Sequence, residues 1–204
     1  MGTPILVVSG PAGAGKTTAS GLVAGAFDPS VHIRSDAFMP FVVNGWIDPW
    51  LPESDRQNDV LGGAVVSAAI QFAAGGYTVV LDGTFFPAGI EGMSYMCSRR
   101  GIPLHYAVLR PDLATCVGRV GSRRHTFAAR AEYADFSDYE ALARLHARYQ
   151  RLGEYEANVI DGSGEPQMVA DELISAFKAG RLAVSGRLAV SQPPSASRPP
   201  PTRS

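Results

Sequence analysis

The chain has 204 residues, 46% of them hydrophobic and 18% charged, with a formal net charge of −1. That balance is ordinary for one soluble globular domain with a sizeable core. Residues 181–204 carry four arginines and no acid, leaving 14 basic and 19 acidic residues in the body, which argues against a nucleic-acid-binding surface spread over the folded part but not against a local basic pocket.

Taken in chain order, five apolar runs read as short strands: Ile5–Ser9, Val31–Ser35, Tyr77–Asp82, Leu104–Leu109 and Asn158–Asp161. Continuous apolar runs imply burial on both faces, as in a parallel sheet. Helical patterns fall between and after them, at 15–27, 57–74, 88–100, 111–121, 137–152 and 166–179. In the second, Val60, Leu61, Ala64, Val65, Ala68, Ala69 and Phe72 form one apolar stripe. Tyr139, Leu142, Leu145, Tyr149 and Leu152 share a face of the fifth, and Val169, Leu173, Ala176 and Phe177 a face of the sixth. The alternation predicts an α/β fold around a largely parallel sheet.

Two connections are long for plain loops, 37–56 and 122–136, which favours an acceptor-side binding loop and a lid. The hexapeptide GRLAVS at 180–185 repeats at 186–191 and is followed by QPPSASRPPPTRS. Such a composition builds no core, so the domain is expected to span 1–180 and a disordered tail 181–204. Cys97 and Cys116 have neither metal nor redox spacing and read as reduced thiols. No apolar run approaches the ~20 residues of a membrane span, and the N-terminus shows no basic leader, so a cytoplasmic enzyme is the expectation.

The segment after the first strand carries the chemistry. Gly10-Pro11-Ala12-Gly13-Ala14-Gly15-Lys16-Thr17 fits G-x-x-x-x-G-K-[ST], with a strand before it and a helical pattern after it. Phosphate oxygens need several donors at close range, and main-chain N–H groups supply them where no Cβ intrudes. The following helix adds its positive end. Lys16 is a point charge for the β- and γ-phosphates, Thr17 a hydroxyl for Mg²⁺, and Thr18 a contact for the α-phosphate.

With HIRSDAF (32–38), YTVVLDGTF (77–85), AVLRPDLATCVGRV (107–120) and NVIDGSG (158–164) in order behind this loop, the chain resembles the small P-loop kinases of the nucleoside-monophosphate-kinase superfamily. Within that group it is similar to chloramphenicol phosphotransferase-like and gluconate kinase-like proteins over residues 3–178. The resemblance implies a three-layer fold with a five-stranded parallel sheet ordered 2-3-1-4-5, a lid, and ATP with Mg²⁺ as cofactors. It also implies a carboxylate at Asp36 that takes the proton of an acceptor hydroxyl, and lid arginines among Arg119, Arg123 and Arg124, with Arg130 a further option. Arg119 could instead stack on the adenine, which related kinases wrap with the segment matching DGSG at 161–164.

Asp82 ends an apolar strand in a Walker-B-like way, suited to a Mg²⁺-bound water or to the acceptor. Either Asp36 or Asp82 is open as the base; Ser35 and Thr84 are acceptor-side candidates or plain turn residues. Trp46 and Trp50, with Phe38 and Phe41 nearby, suit stacking on an acceptor or a hydrophobic plug. Arg110 reads as structural, and His32 and His146 show no ligand spacing. The expected activity is ATP-dependent transfer of the γ-phosphoryl group to a hydroxyl of a small molecule, a metabolite or an antibiotic. A nucleic-acid end kinase and a nucleotide-binding module without transfer chemistry are the alternatives. The guanine-reading N-K-x-D pattern of a GTPase is absent.

Overall fold

A computed structural model describes residues 2–127 and 139–184, with side chains omitted for 122–127. Its centre is strand β1 (Ile5–Ser9), buried at every position. β2 (Ser30–Arg34), β3 (Thr78–Asp82), β4 (Leu104–Leu109) and β5 (Val159–Ile160) complete a five-stranded sheet in the order β2-β3-β1-β4-β5. All four pairings are parallel, as the resemblance implied. The strand ends differ by a residue or so from the sequence expectation.

Alternation along β1 divides the core in two. Ile5 and Val7 face one side, with helices α2 (Asp55–Ala74) and α3 (Pro87–Ser98); Leu6 and Val8 face the other, with α1 (Lys16–Ala24) and α6 (Pro166–Lys178). α4 (Leu113–Phe127) and α5 (Tyr139–Arg148) flank the segment 128–138. Helix α4 therefore runs through the first six residues of the expected lid, and the remainder of 122–136, including Arg130, lies outside the described residues.

The face that α2 buries is Val65, Val66, Ala69, Ile70 and Ala73, while Val60, Ala64 and Phe72 of the expected stripe are exposed. The helix is apolar most of the way round, so two overlapping stripes satisfy the same periodicity, and only the packing against β1 and β3 selects one. On α6 the expected face, Val169, Leu173, Ala176 and Phe177, is the buried one.

Residues 182–184, expected as tail, pack on the sheet. β5 pairs only with Val108 and Leu109, which leaves the first half of β4 with a free edge. Residues 182–184 fill that edge antiparallel to β4: Tyr106 N–H donates to Leu182 O and Val184 N–H to Leu104 O, each at 2.9 Å, around a bridge between His105 and Ala183. Asn158 Nδ2 adds a bond to Tyr106 O at 2.7 Å. Leu182 is fully buried in the α1–α6 layer. Thus the first GRLAVS copy satisfies main-chain groups that would otherwise be orphaned. Residues 185–204 lie outside the described residues. No helix among the described residues is long and apolar enough to cross a membrane.

Candidate functional site

The glycine loop joins β1 to α1 and needs positive φ at Gly10 (144°), Gly13 (81°) and Gly15 (89°). Close packing adds to the requirement at two of them. A Cβ on Gly10 would sit 2.2 Å from Leu109 O, and one on Gly13 would sit 2.4 Å from Cys116 O. These glycines seat the loop on the end of β4 and the start of α4. Gly15 is the left-handed residue before α1, and a Cβ there would lie 3.6 Å from Arg119 Nη1. Pro11, Gly13 and Ala14 are buried, Ala12 is half-buried, and Thr18 is exposed on the first turn.

Lys16 Nζ donates to Gly10 O and Pro11 O, both at 2.9 Å, so the ammonium folds back over its own loop. Thr17 Oγ1 donates to Asp82 Oδ2 at 2.5 Å, which brings the end of β3 to the first turn of α1. Asp82 is buried, and its other oxygen, Oδ1, lies 3.2 Å from His32 Nε2. Asp36 stands in the short 3₁₀ helix Ser35–Phe41 directly after β2 and accepts from Arg34 Nη2 at 2.8 Å. Ser35 packs against Gly83, where a Cβ would meet its Oγ at 2.2 Å. The ends of β2 and β3 are therefore in contact, and the sheet register places Arg34 beside Asp82.

On the other side, Arg119 of α4 donates from Nη1 to Gly162 O at 2.7 Å and from Nη2 to Ser163 O at 3.0 Å. A Cβ on Gly162 would meet Ala14 O at 2.8 Å. Arg119 thus ties the 161–164 segment down beside the glycine loop. The side chains of Arg123 and Arg124 lie outside the described residues. Thr84 is exposed after β3.

Trp46 and Trp50 occupy the outer loop, 39% and 52% exposed. Gln57 of α2 holds this loop through Ile47 N (2.9 Å) and Ile47 O (2.6 Å), and Asn58 through Pro49 O (2.8 Å). Between loop and helix lies a cleft of about 350 Å³ lined by Val42, Ile47, Arg56, Gln57, Val60 and Leu61. Its lining is more aliphatic than aromatic.

Three features escape sequence reasoning. His32 reaches a buried carboxylate although it has no ligand spacing. Tyr149, expected as core, hydrogen-bonds Ser9 Oγ at 2.9 Å, and its hydroxyl also interacts with the main chain of Gly10 and with Thr84. Burial pushes its phenol up to about 12. Arg148, at the end of α5, lies 3.7 Å over the Phe86 ring, which itself stacks on Tyr149. Only the apolar spacing of Tyr149 was visible in sequence; its hydroxyl partners come from the end of β1, the loop after it and the segment after β3. Arg110 joins Tyr149 O (2.8 Å) to Glu156 (2.9 Å), and His146 contacts Pro111 O at 2.9 Å, both spanning elements of the scaffold. Cys97 and Cys116 are buried free thiols.

The donor set fits a magnesium–nucleotide: a glycine cradle at a helix start, one ammonium, and a hydroxyl beside a buried carboxylate. Among the described residues no cluster of three or more His, Cys, Asp or Glu side chains forms a metal site of the all-protein kind.

Comparison with known proteins agrees with this geometry. No curated protein is significantly similar in sequence. Among solved structures, the chain is similar to the Deinococcus radiodurans tunicamycin resistance protein (16% identity, 90% of this chain and 99% of that one, TM-score 0.60). It is similar to shikimate kinase from Acinetobacter baumannii in complex with shikimate (17%, 88% and 96%, 0.60). It also matches part of the Pnkp1/Rnl/Hen1 RNA repair complex (16%, 73% and 44%, 0.57). These likenesses establish the fold of small P-loop kinases. A family model described as an AAA domain matches residues 5–152, from β1 through α5, and the chain belongs to that family.

Proposed function

We propose that this protein is an ATP-dependent phosphotransferase that moves a γ-phosphoryl group to a hydroxyl of a small molecule, with Mg²⁺ as cofactor. The observation that carries the reading is the Thr17–Asp82 hydrogen bond at the mouth of the glycine loop, with Asp36 directly after the adjacent strand β2. A nucleotide-binding module needs the first; the second supplies a base for an acceptor.

The residues divide the work. Main-chain N–H groups of the loop and the start of α1 bind the phosphates. Lys16 exchanges its bonds to Gly10 O and Pro11 O for phosphate oxygens, which is a short move for a flexible side chain. Thr17 and Asp82 would hold the cation, which neutralises charge on the transferring group. Arg119 would border the base through its clamp on 162–163. Asp36 accepts the acceptor proton as the hydroxyl oxygen bonds to γ-phosphorus and the bond to the ADP oxygen breaks. Ser35, Thr84, Trp46 and Trp50 are the acceptor-side candidates, and Arg123 and Arg124 the lid charges.

The likeness to shikimate kinase favours a small hydroxylated acceptor, and that to a tunicamycin resistance protein keeps an antibiotic acceptor open. The RNA repair complex is the observation that favours a second reading, a nucleic-acid end kinase. The acidic body weighs against it. The test is a screen of alcohols, sugars, antibiotics and 5′-hydroxyl oligonucleotides for acceptor-dependent ADP release, with Lys16→Ala as background. Stimulation by a small alcohol is expected. Stimulation by oligonucleotides alone selects the second reading, and release at the Lys16→Ala level with every acceptor refutes both.

A further inference from the structure

His32 is the one ring on the α1 side of β2 that reaches the candidate cation site. Its neighbours Val31 and Ile33 pack into the opposite layer, so alternation turns His32 toward α1. Gly21 of α1 lies beside it there: a Cβ on Gly21 would be in ordinary contact with Nδ1, at 3.8 Å. The imidazole then extends along the sheet, past its register partner Val80, to Asp82.

Asp82 is buried with its side chain only 4% exposed, and both of its oxygens are engaged. Oδ2 takes the Thr17 hydroxyl at 2.5 Å, and Oδ1 faces His32 Nε2 at 3.2 Å. A carboxylate only accepts, so Nε2–H is the donor. With that bond made, the carboxylate cannot turn about Cβ–Cγ without losing a partner inside the protein, where an unmet oxygen is costly.

We propose that His32 is a positioning residue for magnesium: by holding Oδ1 of Asp82 it keeps Oδ2 toward Thr17 and the nucleotide loop. This rests on reading the loop as a magnesium–nucleotide site. His32 touches neither metal nor phosphate; it acts through the carboxylate, as outer partners of metal ligands do. The Thr17 hydroxyl, by donating its hydrogen bond to Asp82, keeps its lone pairs for the cation.

Two amides differing by one methylene test this. His32→Gln places an N–H donor at about the reach of Nε2, whereas His32→Asn falls short of Asp82. Titration calorimetry measures ATP uptake with magnesium and in its absence with EDTA, and circular dichroism confirms folding. Asn is expected to weaken magnesium–ATP binding about 10- to 100-fold, to change metal-free ATP binding less than about 2-fold, and Gln to recover most of the loss. His32→Ser replaces Asn if the latter does not fold. The proposal is overturned if the short variant binds magnesium–ATP like the parent, or loses both forms of ATP equally. Uptake of neither form by the unmodified protein refutes the nucleotide site itself, and the positioning role with it.

Discussion

Arg34 Nη2 donates to Asp36 Oδ2 at 2.8 Å, so the carboxylate proposed as the base is held by a guanidinium from the end of the strand that precedes it. The Arg34 and Asp36 side chains are 51% and 36% exposed, which makes this a weak, screened pair that an acceptor can displace. Asp36→Asn is expected to lower kcat about 10²- to 10⁴-fold while magnesium–ATP affinity stays within about 2-fold. Arg34→Gln, which frees the carboxylate, should change kcat less than about 10-fold. Steady-state ADP release and calorimetry measure both. Full turnover by the Asn variant would pass the base role to Asp82.

Gly13 and Gly62 are opposite cases. The first has φ +81° and Cys116 O where a Cβ would go; around the second, in the middle of α2, a Cβ meets nothing within 4 Å. Gly13→Ala should cost about 1–3 kcal/mol and weaken nucleotide binding. Gly62→Ala should stabilise by about 0.5–1 kcal/mol through helix propensity and leave binding alone. Urea melts read the stability and calorimetry the affinity; equal effects at the two positions would contradict the packing described for the loop.

Leu182 anchors the segment that completes the edge of β4, with Tyr106 N–H on its carbonyl. Leu182→Ala is expected to destabilise by about 2–5 kcal/mol, as for a core leucine. A change under about 0.5 kcal/mol in a urea melt, the range of ordinary surface substitutions, would show that this segment is not part of the core.

Burial pushes the Cys97 thiol up to about 11 from 9.0, against a smaller opposing pull from Arg100. An unfolded thiol releases its proton near 9 and the folded one near 11, so the native state binds more protons between those values. Stability is therefore full below pH 9 and falls as pH rises toward 11, by up to about 1.4 kcal/mol per unit. Cys97→Ala should make that part of a stability–pH curve less steep, with the burial-raised Cys116 thiol and Tyr149 phenol leaving a residual slope. In the native protein at pH 8 the Cys97 thiol should resist a thiol-specific reagent until unfolding exposes it; rapid native labelling would contradict its burial.

The sheet was legible in the sequence because its strands are short apolar runs between strong turn and helix patterns, and the glycine loop because its spacing has one mechanical purpose. The strand order came from resemblance, since crossover order leaves no local trace. The α2 face was misjudged because Leu61, Ala64 and Ala68 extend its apolar surface beyond a single stripe. The role of His32 depends on a neighbour fifty positions away, and the docking of residues 182–184 depends on β5 being too short to cover β4. Both are facts of tertiary geometry. Gly10 and Gly13 also meet a need that the motif spacing does not show, the close approach of Leu109 O and Cys116 O.

The middle position of β1 shapes how the chain must be made. It leaves the ribosome ahead of every other strand, yet Ile5 must await Val79 for one neighbour and Leu104 for the other. At about 5–20 residues per second the wait lasts several seconds. During it a five-residue apolar strand has both edges open to wrong partners. The segment best shielded in the finished molecule is the most vulnerable one in the nascent chain.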